Sequence, residues 1–278
     1  MSSDNHRTIE LVLLQYSIAT NDSAENLRKI ESLLSSAFTS LPSGPRVVVL
    51  PELFHTGFGE MEKIRDQAVE FESKKASESP LLGNLRKLAG TGACSIIGTL
   101  VEKSEEGLYN TAFRATKERI QPLYRKIHLF EPLQEKKYIL PGPLSLNVFS
   151  LVGINAGVQI CYDLRFPEAS RFLANAGVDI IFFPANWPKQ RISHWDLLLR
   201  SRAVENQCYV VGVNRVGSDA SGEYCGHSQI VEPGGTVLTP ISEVEQAIHF
   251  TIEDFDKGLY EARKRFQVKN DSRMLIKT

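Results

Sequence analysis

The sequence predicts an α/β protein with a mixed sheet or two sheets. Two observations carry this prediction. Short apolar runs, typical of buried strands, recur along the chain, and segments with helical spacing separate several of them. Other runs follow one another as hairpins across short turns. The chain has 278 residues, of which 42% are hydrophobic, which is enough for the core of one large domain or two small ones.

The strand predictions rest on apolar runs bounded by polar or glycine-containing turns. The run at 109–115 pairs with 120–123 around a Lys117-Glu118 turn, and 147–151 pairs with 155–160 around Gly153. A third hairpin joins 226–231 to 236–238 across a Pro-Gly-Gly turn. The remaining predicted strands are 9–16, 47–50, 94–100, 178–183, 208–213 and 247–252.

The helix predictions rest on start signals followed by apolar residues at helical spacing. The first helix starts at Asn21-Asp22-Ser23 and continues to Phe38. Further helices are predicted at 81–88 and 168–176, from Asp254 onward, and at 194–207, where the amphipathic pattern is clearest. A proline break at 42–45, an exposed connection at 72–79 and an irregular charged segment at 125–142 separate these elements.

Charge and cysteine content exclude several classes of protein. The formal net charge is −1 and no long run of one sign occurs, which argues against nucleic acid or a membrane surface as a partner. The polar N-terminus lacks a signal-peptide core, and no apolar stretch approaches the ~20 residues of a membrane span. The four cysteines have neither a C-x-x-C pair nor zinc spacing, so we expect free thiols, no metal and a cytosolic location.

The stretch VQICYDLRFPE at 158–168 is the centre of the functional prediction. Cys161 follows a buried strand and precedes a helix that enters through Pro167. Backbone N–H groups and the helix dipole at such an elbow favour a thiolate, which is the reactive form of cysteine. Cys161 is therefore a candidate nucleophile. The alternative is an inert, buried structural cysteine.

Two other strand ends deliver residues that complement a thiol. Glu52 follows VVVLP, and Lys126 follows PLYR. Because α/β folds place ligand sites at strand ends, the three side chains are candidates for one site. A carboxylate can take the thiol proton, and an ammonium can lower the thiol pKa and stabilise an oxyanion. Individually, Glu52 can cap a turn and Lys126 can be a solvated surface residue.

These stretches resemble the three catalytic motifs of the nitrilase superfamily of carbon–nitrogen hydrolases. The motifs are PELFHTGF at 51–58, YRKIHLFE at 124–131 and ICYDLRFPE at 160–168, in the order and approximate spacing of that family. The segment at 185–219 also resembles the region after the cysteine there. The similarity covers about residues 8–266, and the CYDLRFP and ANWP patterns together resemble the omega-amidase branch.

The resemblance implies a single domain over 1–278 with a four-layer α-β-β-α sandwich. It implies a Glu52–Lys126–Cys161 triad without a metal or organic cofactor, and a homodimer or higher homo-oligomer. A second glutamate after the lysine assists in this family; Glu135 is the first choice for it and Glu131 the second. We expect His128, at a motif position, to support the loop.

The implied reaction is hydrolysis of a small ω-amide, such as 2-oxoglutaramate or 2-oxosuccinamate, through a thioester. Glu52 would deprotonate Cys161, and Lys126 and the Tyr162 N–H would stabilise the oxyanion. A substrate carboxylate needs a cationic partner, and Arg191 is the candidate. Trp187 and Phe58 are candidate apolar walls. A solvated Arg191 is the alternative.

The sequence leaves other functions open. The same scaffold carries nitrilases, carbamoyl-amine hydrolases and deaminated-glutathione amidases, and a catalytically silent interaction protein is a further alternative. Among the remaining polar residues, we expect Arg165 and Glu168 to form a structural ion pair. His194 is expected to cap its helix, and Arg202 to pair with Glu205 on the surface or at an interface. The other cysteines, Cys94, Cys208 and Cys225, receive no role.

Overall fold

The computed structural model describes residues 7–39, 45–71, 78–92 and 94–271. The predicted proline break, apart from Pro45, lies outside the described residues. The same holds for most of the predicted connection at 72–79.

One sheet has six strands in the order β13-β1-β2-β3-β4-β5. The central strands β1, β2 and β3 are parallel, and β13, β4 and β5 are antiparallel to their neighbours. The predicted hairpin around Lys117-Glu118 is confirmed as β4 and β5. The bounds are β1 Ile9–Gln15, β2 Arg46–Val49, β3 Cys94–Lys103, β4 Leu108–Ala115, β5 Ile120–Arg125 and β13 Gln246–Ile252.

The second sheet has five strands in the order β12-β9-β8-β7-β6, with β7, β8 and β9 parallel. The predicted hairpin around Gly153 is confirmed as β6 and β7. In the third predicted hairpin only the first arm is a strand, and the second arm is reduced to a bridge between Val231 and Val237. The bounds are β6 Phe149–Leu151, β7 Ile154–Val158, β8 Ile180–Ala185, β9 Tyr209–Asn214 and β12 Gln229–Val231.

A separate hairpin, β10 (Val216–Asp219) with β11 (Gly222–Cys225), was not predicted from the sequence. Its strands are short and carry few consecutive apolar residues, so the apolar-run signal is weak there.

Helices form the outer layers. Their bounds are α1 Ser23–Thr39, α2 Pro80–Thr91, α3 Glu135–Tyr138, α4 Pro167–Asn175, α5 Ile192–Asn206, α6 Phe255–Arg265 and α7 Val268–Asp271. The predicted start signal of α1 is confirmed, because the Asp22 carboxylate accepts the Glu25 N–H at 2.9 Å. Pro167 occupies the first turn of α4 as predicted.

The two sheets pack face to face, and helices cover their outer faces. Alternate residues of β1 point to opposite sides, so Leu11 and Leu13 join the core between the sheets while Val12 and Leu14 pack toward α1 and α2. On the second sheet, Leu173 of α4 and Leu199 of α5 cover the outer face. The predicted α-β-β-α layering is confirmed, and it buries both faces of each sheet.

Helix α5 does not have the clear two-sided pattern that the sequence analysis predicted. Arg202 and Asn206 are buried in it, whereas Leu197 and Val204 are exposed. The face that packs on the sheet therefore includes polar residues, and the outer face includes apolar ones. Among the described residues, no helix combines the length and the apolar character that crossing a membrane requires.

Candidate active site

Three strand ends from the two sheets meet at one buried place. Glu52 lies three residues after β2, Lys126 follows β5 directly, and Cys161 lies three residues after β7. The loop after Lys126 returns closely, because the Gly142 N–H donates to the Lys126 carbonyl at 2.8 Å. A Cβ at position 142 would lie 2.2 Å from the Arg125 carbonyl oxygen, so this return requires glycine. The structure thus brings together the side chains that the motifs singled out.

Lys126 is held between two carboxylates. Its Nζ donates to Glu52 Oε1 at 2.8 Å and to Glu135 Oε2 at 2.8 Å, and a further contact to Glu135 Oε1 measures 3.1 Å. All three side chains are fully buried. Burial lowers the pKa of Lys126, but the charges of Glu135 and Glu52 outweigh burial and raise that pKa above its ordinary value. The lysine is therefore a fixed ammonium.

The two candidates for the second glutamate occupy different environments. Glu135 opens α3, is completely buried, and also accepts the Phe130 N–H at 2.7 Å. Burial raises the pKa of Glu135, the Lys126 ammonium lowers it, and the Glu52 charge raises it. Glu131 is exposed and forms an ion pair with Lys136 at 3.3 Å. The geometry thus places Glu135, and not Glu131, against the lysine.

Cys161 is 7% exposed and adopts a left-handed backbone conformation, with φ +44°. Such a conformation is costly for a residue other than glycine and occurs often at functional sites. Its Sγ lies 3.8 Å from the Asn186 carbonyl oxygen and within hydrogen-bonding reach of the Glu52 carboxylate. The left-handed turn directs the thiol back toward the two charged groups.

The elbow favours a thiolate, but the buried surroundings of Cys161 act in the opposite direction. Burial raises the pKa of Cys161 well above its ordinary value, the Glu52 charge raises it further, and Lys126 offsets only part of the increase. The elbow argument considered the helix dipole but not the depth of burial or the carboxylate beside the sulfur. The raised pKa favours the protonated thiol, and the proton must leave toward a base when the sulfur reacts.

Two asparagines that the sequence analysis did not single out connect these groups. The Asn110 amide donates to Glu52 Oε1 at 2.8 Å and to Glu135 Oε1 at 3.3 Å. The Asn186 N–H donates to Glu52 Oε2 at 3.0 Å. Asn186 follows the buried strand β8 directly, so the strand-end argument already applied to it. Asn110 is a polar residue inside a buried strand, and this was its only signal.

Asp163, also not singled out, holds the cysteine elbow in place. Its carboxylate accepts hydrogen bonds from the Tyr124 hydroxyl at 2.8 Å and from the Ile160 N–H at 2.9 Å. It also contacts His128 Nδ1 at 2.7 Å, and the His128 ring stacks on Phe166. His128 therefore supports the loop, as predicted.

The four candidate substrate residues lie at different depths. Phe58 is buried, with its ring centroid 5.6 Å from Lys126 Nζ. Tyr162 is half-buried and contacts the Phe130 ring. Trp187 is 2% exposed and donates from Nε1 to the Arg191 carbonyl at 2.8 Å. Arg191 itself is exposed, with its guanidinium carbon 6.0 Å from the Phe130 ring centroid.

Two predicted roles are wrong. Arg165 does not pair with Glu168; its guanidinium carbon lies 4.7 Å above the Trp187 ring, and it contacts His194 Nδ1 at 3.4 Å. His194 therefore does not cap helix α5, which begins at Ile192 without a side-chain cap. A flat guanidinium gains more from stacking on a buried indole than from an exposed ion pair.

The pairing of Arg202 with Glu205 is confirmed at 2.9 Å. The expected surface location is wrong, because Arg202 is buried and donates to the Leu164 carbonyl at 2.8 Å. It therefore links α5 to the turn that follows Cys161.

Comparison with known proteins agrees with this architecture. The chain is 33% identical over 263 residues to a 2-oxoglutaramate amidase of Bacillus subtilis, covering 94% of this chain and 96% of that protein. It is 31% identical over 265 residues to omega-amidase YafV of Escherichia coli, covering 95% and 96%. A crystal structure of a CN-hydrolase superfamily protein of Xanthomonas campestris superposes with a TM-score of 0.85 at 31% identity, covering 98% and 100%.

The fold is thus that of a class of hydrolases. A family model described as carbon–nitrogen hydrolase matches residues 11–264. The chain belongs to the carbon–nitrogen hydrolase family. The resemblance that the three sequence motifs indicated is confirmed, including its similarity to omega-amidases.

Proposed function

We propose that this protein is a cysteine-dependent amidase that hydrolyses the terminal carboxamide of small ω-amides to a dicarboxylic acid and ammonia. The observation that carries the proposal is the fully buried Lys126, which two carboxylates hold beside the Cys161 thiol. The names of the two relatives, 2-oxoglutaramate amidase and omega-amidase, support the substrate class. The free thiols support a reducing, cytosolic location.

Acylation begins with a proton transfer. Glu52 takes the thiol proton as Cys161 Sγ attacks the carboxamide carbon, so no free thiolate accumulates before the S–C bond forms. The carbonyl oxygen becomes an oxyanion that Lys126 Nζ and the Tyr162 N–H stabilise. No hydrogen bond to the Tyr162 N–H forms within the described residues, which leaves it available as a donor.

Departure of ammonia requires that Glu52, beside the Lys126 ammonium, also act as an acid. Glu52 returns its proton to the amide nitrogen, the C–N bond breaks, and ammonia leaves a thioester on Cys161. Water then attacks the thioester while Glu52 takes one of its protons. The thiolate leaves, recovers that proton from Glu52, and releases the acid. One carboxylate serves as base and acid in turn, because unprotonated amide nitrogen is a poor leaving group.

Arg165, which interacts electrostatically with Cys161, and Arg191 beside it can bind the far carboxylate of an ω-amide. Burial lowers the pKa of Arg165, and the positive charge of Arg191 nearby acts in the same direction. Neither arginine forms an ion pair with an acid among the described residues. Two neighbouring guanidinium groups without an acidic partner favour a bound carboxylate, which a guanidinium grips through two hydrogen bonds.

Arg191→Ala is expected to raise KM for 2-oxoglutaramate by about 10- to 100-fold, the effect of losing a hydrogen bond to a charged group. A neutral short-chain amide should be affected little, because it has no carboxylate to bind. Lys189→Ala is the matched control, since it removes an equal charge from the same exposed turn. Equal losses with both substrates, or equal effects of both variants, would remove Arg191 from the binding site.

The substrate class is tested by measuring ammonia release from a panel of ω-amides, neutral amides, nitriles and ureides. The proposal expects the highest kcat/KM for a short ω-amide with a carboxylate at its other end. A preference for nitriles would identify a nitrilase, and a preference for ureides a carbamoyl-amine hydrolase. Activity on deaminated glutathione above that on 2-oxoglutaramate would favour the third alternative on this scaffold.

The protein is expected to form a homodimer through helices α4 and α5. Phe172 of α4 is 51% exposed, and Leu197 and Val204 of α5 are 64% and 50% exposed. Exposed apolar side chains on these two helices are candidates for a symmetric contact that would cover them. The double variant Leu197→Glu/Val204→Glu should then be monomeric in light scattering at micromolar concentration. Leu144→Glu, elsewhere on the surface, should remain a dimer. A monomeric wild-type protein would refute the expectation.

A further inference from the structure

Asn110 lies outside the three sequence motifs but contacts several groups of the charged cluster. It lies in β4 opposite Val101 of β3, and it is completely buried. Its amide donates to Glu52 Oε1 at 2.8 Å and to Glu135 Oε1 at 3.3 Å. Its backbone carbonyl accepts the Lys126 N–H at 2.9 Å. One asparagine therefore touches both carboxylates and the strand end that presents the lysine.

The orientation of this amide follows from its partners. Ionised carboxylate oxygens can only accept hydrogen bonds, so the NH₂ group and not the oxygen of Asn110 must face them. In this orientation Asn110 Oδ1 is buried and has no hydrogen-bond partner. The amide oxygen is thus left without a partner, while the NH₂ group donates to both Glu52 and Glu135.

The donor is needed because the cluster is short of positive charge. Two carboxylates share the single ammonium of Lys126, and both are removed from water. Glu52 Oε1 already accepts two hydrogen bonds, from Lys126 and from Asn110. Among the described nitrogen donors, Glu52 Oε2 accepts one hydrogen bond, from the Asn186 N–H. It is therefore the oxygen with capacity left for the thiol proton.

We propose that Asn110 is a positioning residue: its amide bridges Glu52 and Glu135, holds the two carboxylates in their orientation, and leaves Oε2 of Glu52 free to act on Cys161. This inference rests on the proposed role of Glu52 as the base. Without the Asn110 amide, Glu52 Oε1 loses one of its two hydrogen-bond donors, and no dipole lies between Glu52 and Glu135. A carboxylate that loses such a donor holds its proton up to a higher pH.

The test is the pH dependence of kcat/KM for Asn110→Leu, which keeps a branched side chain of similar size but has no donor. The acid limb of the profile is expected to move upward by about one pH unit. The value of kcat/KM near neutral pH is expected to fall about 10- to 100-fold, mainly through kcat. Asn110→Ala is the second variant, in case the leucine is not accommodated. Circular dichroism verifies that each variant is folded.

Asn206→Leu is the matched control, because it removes an equally buried asparagine whose amide donates to the Arg202 carbonyl outside the cluster. Its acid limb should coincide with that of the wild type. An unmoved acid limb in either folded Asn110 variant, or an equal shift in the control, would overturn the proposal.

Alkylation of Cys161 by iodoacetamide gives a second readout that needs no amide substrate. Its rate also depends on removal of the thiol proton, so its pH profile should shift upward in the Asn110 variants as the kinetic profile does. If the wild-type protein released no ammonia from any amide, the proposed function would fail, and alkylation would still decide the role of Asn110. If the wild type hydrolyses ω-amides and neither profile shifts, only the role of Asn110 fails.

Discussion

Cys161→Ala is expected to lower kcat by about 10⁴-fold or more, because removing the nucleophile of a group that acts as a unit abolishes nearly all of its rate enhancement. The substitution should lower the rate of the chemical step without unfolding the protein. The substitution removes one buried sulfur atom and leaves the left-handed backbone of the elbow occupied by another L-residue, so the fold should persist. Ammonia release under saturating substrate measures the first effect, and thermal unfolding the second.

Cys208→Ala provides the control for this experiment. Cys208 is also buried, just before β9, and is not a partner in the hydrogen bonds described above for Glu52, Lys126 and Glu135. This variant should retain activity while losing a comparable amount of buried volume. Iodoacetamide should inactivate the wild type and the Cys208 variant together, with one adduct at Cys161 by mass spectrometry. Residual turnover in Cys161→Ala well above background would exclude the thioester route.

Lys126→Met is expected to remove activity and also to destabilise the protein by about 3–5 kcal/mol, the usual effect of deleting one partner of a buried ion pair. The variant leaves Glu52 and Glu135 buried without their cation. Urea unfolding at neutral pH measures the change in free energy. Lys136→Met is the matched control, because it breaks the exposed pair with Glu131 and should change stability by less than about 1 kcal/mol.

The pH dependence of this variant has a defined sign. The pKa of Glu135 is already raised by burial, and removing the ammonium that lowers it raises it further. A carboxyl group with a raised folded-state pKa adds stability below its unfolded pKa and loses it as pH rises through the folded value. The penalty of Lys126→Met should therefore shrink as the pH falls. Lys126→Met/Glu135→Gln should recover part of the stability at neutral pH but none of the activity. Equal, small losses in Lys126→Met and Lys136→Met would contradict the buried cluster.

The sequence motifs located the site because strand ends carry the reactive residues. Glu52, Lys126 and Cys161 each follow an apolar run, and the fold brings these ends together as the strand-end argument requires. Sequence spacing alone did not distinguish Glu135 from Glu131 as the second glutamate beside Lys126. The distinction depends on the loop after Lys126, where a one-turn helix turns Glu135 inward and leaves Glu131 in solvent.

The sequence by itself determined the α/β class, most strands and helices, the family and the three residues of the proposed triad. These follow from local periodicity and from motifs whose members are close in sequence. Only the tertiary structure decided the upward direction of the Cys161 pKa shift, the stacking of Arg165 on Trp187 and the bridge made by Asn110. Each of these depends on burial and on charges from strands distant in sequence. Electrostatic interactions are stronger where water is excluded. Local sequence does not indicate which charged groups will be neighbours in such a buried region.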